Sequence, residues 1–270
     1  MAWGVRIACA ALAAGTAIGP AGAAGEGTAL LDRARDLSKT EWSWNDRSQV
    51  LDLRIVDERG NERHRKLQMM TRREGPGEQK TLAVFLEPAE VRGTAVLQHV
   101  PKDGASSQWL YLPELGRTRR INTAARRQSF MGTDFSYADL DIMENALRWS
   151  ASEAGARPLP GGSEEGRAWF ELAPLDPEAA YDRVRVQLSE ANAHLRAMEM
   201  GGEPGAPTKS LQFDDVREVT GIPTAFRLAM SQPDRGTRTL VDVSEVRYDT
   251  GISAETFTQR ALERGLDHVR

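Results

Sequence analysis

The densest concentration of chemically capable side chains lies between Gln108 and Leu140, where the chain reads QWLYLPELGRTRRINTAARRQSFMGTDFSYADL. Five arginines, Arg117, Arg119, Arg120, Arg126 and Arg127, fall within eleven residues, beside Trp109, Tyr111, Phe130, Phe135 and Tyr137. Guanidinium groups are planar, permanently charged donors that match phosphate and carboxylate geometry. The functional reading is therefore an anion-seeking rim, for a lipid headgroup or an acidic partner surface, next to an apolar interior. The competing reading is a solvated strand and turn whose aromatics are ordinary core.

Other chemistry is sparse. The chain contains no G-x-S-x-G elbow, Walker A loop, G-x-G-x-x-G turn or H-E-x-x-H helix. The four histidines, His64, His99, His194 and His268, are widely separated, so no metal site is expected. Asp139 with Asp141, or Asp214 with Asp215, could form an acid/base pair, but with 39 acidic residues such pairs arise freely. No catalytic residue is assigned, no cofactor is expected, and the chain is not read as an enzyme.

The N-terminus sets where the chain works. A short n-region ends at Arg6, an uncharged run follows from Ile7 to Ile18, and Pro20, Ala21, Gly22 and Ala23 close it. This order is that of a signal peptide over residues 1–23, leaving 24–270 as one domain exported to the periplasm. The apolar run falls short of the ~20 residues a helix needs to cross a bilayer. Cys9, the only cysteine, lies in that leader. The mature chain would have neither disulfide nor thiolate, which fits a Gram-negative periplasm. Losing Arg6 takes the net charge from −4 to −5, and with both signs interspersed there is no basic field for nucleic acid. A monomer is expected.

Hydrophobic periodicity gives the scaffold. Leu30, Leu31, Ala34 and Leu37 predict a helix over Glu26–Lys39. The period then changes to two: Leu51, Leu53 and Ile55 alternate with Asp52 and Arg54, a turn follows at Glu58-Arg59-Gly60-Asn61, and Leu67 and Met69 return. Further strands are predicted over Thr81–Leu86, Ala95–Val100, Gln108–Leu112, Trp169–Ala173, Arg183–Leu188, Leu211–Val219, Ala225–Met230 and Thr239–Tyr248. Ser136–Trp149 and Ser253–Arg264 read as helices, and Ala154–Gly166 and Gly201–Pro207 as Gly/Pro-rich loops. One-sided strands at this spacing indicate a mainly β, antiparallel meander that curls into a sandwich or barrel.

Four runs carry a resemblance: FLEPAEVRGTAVL from Phe85, WLYLPELGRTRRI from Trp109, FMGTDFSYADL from Phe130 and VRYDTGISAETFTQRALER from Val246. Together they resemble the outer-membrane lipoprotein-sorting group of the LolA/LolB-like superfamily over roughly residues 40 to 265. The resemblance implies a half-open, curved antiparallel β-barrel with helices covering its concave face and a hydrophobic cavity that holds lipid or lipoprotein acyl chains. It also implies an RND-type inner-membrane transporter as a partner. The one-face strand residues then become the expected liners: Leu51, Leu53, Ile55, Leu67, Met69, Phe85, Trp109 and Tyr111, with Phe130, Phe135 and Met143 from the lid region. Two other readings stay open on sequence: an enzyme acting on a lipid or glycan through the polar residues of Phe130–Asp141, and a non-transporting envelope adaptor docking through the arginines.

Overall fold

The computed structural model describes residues 23–40, 43–75, 77–102, 106–149, 157–158, 166–173, 179–202 and 206–264. The expected signal peptide, except Ala23, lies outside them, as does most of the expected loop 154–166.

The described residues form one thirteen-stranded antiparallel sheet. In chain order its strands are β1 (Asp46–Val56), β2 (Glu62–Gly75), β3 (Glu78–Glu87), β4 (Ala95–Val100), β5 (Ser107–Leu112), β6 (Arg117–Arg120), β7 (Arg157–Pro158), β8 (Arg167–Leu172), β9 (Val184–Ser189), β10 (Leu195–Met200), β11 (Lys209–Val219), β12 (Ile222–Gln232) and β13 (Thr237–Tyr248). The spatial order runs from β6 down to β1, crosses to β13, and continues down to β7. Two meanders are thus joined along one seam, β1 with β13, where Arg47 pairs with Tyr248 and Leu53 with Val241. Strands β6 and β7 are the free edges, so the curved sheet stays open, as expected.

Local chemistry explains the turns. Between β1 and β2, Gly60 takes φ +83°, which costs glycine little. The Asp57 carboxylate accepts from the backbone N–H of Arg59 and of Asn61, both at 2.9 Å, and from the Asn61 side chain at 2.8 Å. Those bonds, the Asn61 side chain's foremost, hold the Asp57 carboxyl below its ordinary value.

The larger core fills the concave face and draws on β1–β4 and β8–β13 together. It is covered by α1 (Ala23–Lys39) through Leu31 and Ala34, and by α3 (Tyr137–Trp149) through Tyr137 and Ile142. The Arg35 Nε donates to the Leu147 carbonyl at 3.3 Å, tying these helices together. A short helix α2 (Thr123–Arg126) precedes α3, its first turn capped by the Asn122 side chain, which accepts from the Ala125 N–H.

A second core lies on the opposite face: Met70, Leu82, Val84, Ala95 and Leu97, with Trp109 and Tyr111, receive Phe257 and Leu262 from the C-terminal segment. This corrects the reading of Ser253–Arg264 as one helix. The segment is a 3-10 turn, Ala254–Phe257, and then α4 (Gln259–Glu263). Thr258 between them is extended at φ −124°, because its hydroxyl caps α4 by accepting from the Ala261 N–H. The outer face of β9 is also covered: Arg185 is fully buried, donating to Glu199 and to the carbonyls of Gly201 and Gly202.

Candidate functional site

Between α3 and the concave face lies a cavity of about 300 Å³. Its floor is built by alternate residues of β1 and β2 (Leu51, Leu53, Leu67, Met69) and of β11–β13 (Phe213, Leu228, Val241, Val243). Its roof is one face of α3, Leu140, Met143 and Leu147, three and four residues apart. Ala193, His194 and Leu195, where β9 turns into β10, close one side.

One end is shut by a tight loop. Phe130 donates its N–H to the Phe135 carbonyl at 2.8 Å, and Met131 and Gly132 between them take positive φ. Both rings are nearly inaccessible to solvent, and Phe130 packs at 5.3 Å on Phe85 and 5.6 Å on Tyr137. Burial pushes the Tyr137 hydroxyl up. Asp134 pins this loop to the β12–β13 hairpin, its carboxylate accepting from Gln232 at 3.0 Å, Thr239 at 2.7 Å and Thr237.

The first turn of α3 is fixed as firmly. The Asp139 carboxylate accepts from Lys209 at 2.6 Å, from the Tyr181 hydroxyl at 2.8 Å and from the Ser136 N–H at 2.7 Å. Burial, with the Asp139 charge beside it, pushes the Tyr181 hydroxyl far up. Asp139 therefore makes no pair with Asp141, which accepts from Gln98 instead. Asp214 and Asp215 are exposed, and Asp215 is bound to Arg217. Among the described residues no group of three or more His, Cys, Asp or Glu is arranged to hold a metal.

Of the expected liners, Leu51, Leu53, Leu67, Met69, Phe130, Phe135 and Met143 meet at this cavity. Phe85 backs Phe130 without reaching it. Ile55 is buried beyond the closed end, paired with the Thr239 that holds Asp134. Trp109 and Tyr111 are on the other face of the sheet, with Phe257 and Leu262. On β5 it is Gln108 and Leu110 that turn inward, Gln108 donating to the Tyr137 carbonyl at 2.7 Å.

The five arginines do not border the cavity. Arg117, Arg119 and Arg120 occupy the edge strand β6, and all three are exposed. The Thr118 N–H between them donates to Glu263 of α4 at 3.0 Å, which holds the Glu263 carboxyl below its ordinary value. A charged, covered edge discourages strand addition. Arg126 donates to Ser106, and Arg127 to the Ala179 carbonyl at 3.4 Å. The polar lining comes from residues not expected there from the sequence: Arg47, Gln49, His194, Thr224 and Tyr248. Arg47 and Gln49 extend the Leu51/Leu53/Ile55 alternation backwards, which was the available signal. Burial, then the nearby Arg196, pulls His194 below its ordinary value.

A protein-family model described only as an uncharacterized protein matches residues 77–264. Among curated proteins none matches the chain. In solved structures the chain is similar to a domain from Vibrio parahaemolyticus described as an outer membrane lipoprotein-sorting protein, with 26% identity and a TM-score of 0.73 over 87% of this chain and 98% of that one. A DUF1329 family protein from Desulfovibrio piger superposes with TM-score 0.75 at 23% identity over the same shares. A LolA superfamily protein from Nitrosomonas europaea has the same fold at 16% identity and TM-score 0.63, again over 87% and 98% of the two chains.

Proposed function

The chain belongs to the family whose model spans residues 77–264, and from that premise and its likeness to a lipoprotein-sorting domain we propose that it is a periplasmic lipid carrier of the LolA/LolB-like superfamily. It takes lipid, or the acyl chains of a lipoprotein, into the cavity under α3 and moves them towards the outer membrane. Residues 1–23 direct its export, it acts as a monomer without catalysis, and an RND-type transporter of the inner membrane hands it the cargo.

The observation that carries this reading is the cavity: roomy, apolar on its floor and roof, and roofed by a helix. Exposing an acyl chain to water costs about 0.8 kcal/mol per methylene, so a chain of about fifteen faces a barrier on the order of 12 kcal/mol to cross water unaided. An apolar lining supplies that affinity without directional bonds, and a mobile roof lets the cargo in and out. Asp139 fixes the first turn of α3 to Lys209 and Tyr181, and Arg35 of α1 holds the Leu147 carbonyl near its other end, so opening requires one of these ties to release.

The test is native mass spectrometry of the protein from its own periplasm, with organic extraction of anything bound. A stoichiometric amphiphile, lost when Leu51→Trp fills the cavity in a protein that still melts cooperatively, supports the carrier. A clean apo mass with no uptake of fluorescent acyl probes would turn the reading to an envelope adaptor docked through Arg117 and Arg119. Binding to that partner would weaken steeply with salt.

A further inference from the structure

Among the described residues five polar side chains line the cavity, and four of them are already engaged. The Thr224 hydroxyl donates to the Ile222 carbonyl at 3.0 Å, so the proton in its 2.8 Å bond with Tyr248 comes from the Tyr248 hydroxyl. The Arg47 guanidinium lies 4.9 Å from the centre of the Trp44 ring, and neither Arg47 nor His194 is without a partner. Gln49 differs from all four. It is only 9% exposed, it lines the cavity, and its carboxamide has no hydrogen-bond partner among the described residues.

The sheet register explains that isolation. Gln49 stands directly opposite Met69 of β2 and Val246 of β13, so both of its cross-strand neighbours on the concave face are apolar. Along β1 the inward-facing residues run Arg47, Gln49, Leu51 and Leu53, about 7 Å from one to the next. The amide thus marks the boundary at which the lining turns from polar to hydrocarbon, away from the end that Phe130 and Phe135 close.

A carboxamide has two N–H donors and an acceptor oxygen. While the cavity is open to water these groups can be solvated. An apolar cargo that expels the water leaves them unpaired, which is costly, whereas a cargo that brings a polar atom to the same spot keeps them satisfied. On an acyl chain entering methyl end first, the first such atom after the hydrocarbon is the carbonyl oxygen.

We infer that Gln49 is the residue by which the protein recognises its cargo as acylated: its Nε2 donates to the acyl carbonyl while the chain lies over Leu51 and Leu53. This rests on the carrier reading and adds to it a specificity residue and a chemical class, a carbonyl-linked chain in preference to an alkyl chain otherwise attached. An O-acyl glycerolipid and the N-acyl group of a lipoprotein share that carbonyl, and both enter the test.

The experiment is calorimetric titration of the delipidated protein with phosphocholines that share one chain length and headgroup: dodecanoyl lysophosphatidylcholine, its dodecyl ether and its amide-linked analogue, each below its micelle concentration. The ester is expected to bind about five-fold or more tighter than the ether. Gln49→Met, close in volume, should bring that ratio to one or below, because the desolvated carbonyl then has no donor. The ratio is the readout, so a general weakening of the variant does not imitate the result. The same variant should melt at an unchanged or higher temperature, since a buried amide without a partner contributes nothing to the fold. Either order between ester and amide supports the inference, a tighter ester pointing to a glycerolipid and a tighter amide to a lipoprotein. Equal affinity for ester and ether overturns the role of Gln49. So does a ratio that Gln49→Met leaves unchanged, and if the melting temperature falls with it, Gln49 is a structural residue. Binding of no probe at all removes the carrier reading itself, a different failure from either.

Discussion

Lys209 Nζ and Asp139 Oδ2 stand 2.6 Å apart where the carboxylate is inaccessible to water and the lysine almost so. Removing one partner strands the other charge, so Lys209→Met should lower stability by about 3–5 kcal/mol in urea unfolding, whereas Lys209→Met with Asp139→Leu should recover most of it. In sequence Asp139 had offered itself as half of an acid/base pair, because its partner is 70 positions away and nothing local announces it. Asp134 is similar: Asp134→Ala would leave the hydroxyls of Thr237 and Thr239 without their acceptor. A loss of roughly 2–4 kcal/mol follows, with faster leakage of a bound acyl probe through the loosened end. His99 sets a pH dependence. Its Nε2 meets the Phe257 carbonyl at 2.8 Å, but burial outweighs that bond and holds the ring below its ordinary value of 6.5. The folded state then binds fewer protons than the unfolded one, so this contribution is complete above about pH 6.5 and declines as pH falls below it. The urea midpoint should drop between pH 7.5 and 5.5, and less so in His99→Gln.

Strand β5 carries the lesson for elements. Alternation marked Trp109 and Tyr111 as facing an apolar environment, and they do, but that environment is the C-terminal segment on the outer face. With both faces of a strand covered, periodicity says that a side chain is buried and not by what. Leu51, Leu53, Leu67 and Met69 were assigned correctly to one face because Asp52 and Arg54 between them need water. Strand β6 was legible only as the solvated-strand alternative, since Arg-Thr-Arg-Arg has no apolar face to alternate, and the break at Thr258 was not, since its cap looks like one more helical residue. The C-terminal segment also gives a clean separation of functions. Phe257→Ala should cost about 3–5 kcal/mol in thermal or urea unfolding. Acyl uptake below the melting temperature should be unchanged, because Phe257 lies across the sheet from the cavity.

At the scale of the molecule, the seam between β1 and β13 joins the first strand to the last, Arg47 to Tyr248 and Val56 to Arg238. Pairings so distant along the chain form late, and refolding after dilution from urea should take on the order of seconds, by stopped-flow tryptophan fluorescence. Completion within microseconds would mean that the seam does not limit assembly. That β1 and β13 would meet was not legible, since alternation fixes which face a strand shows and leaves its neighbour unnamed. The free edges at β6 and β7 have a mechanical meaning. A closed barrel has its radius set by strand number and stagger, so it can swell only by breaking ladder hydrogen bonds. An open sheet acts as a leaf spring: it changes curvature by small twists spread over many strands, every ladder intact. The protein can thus vary its capacity elastically, with stiffness tuned by the helices clipped across the curve.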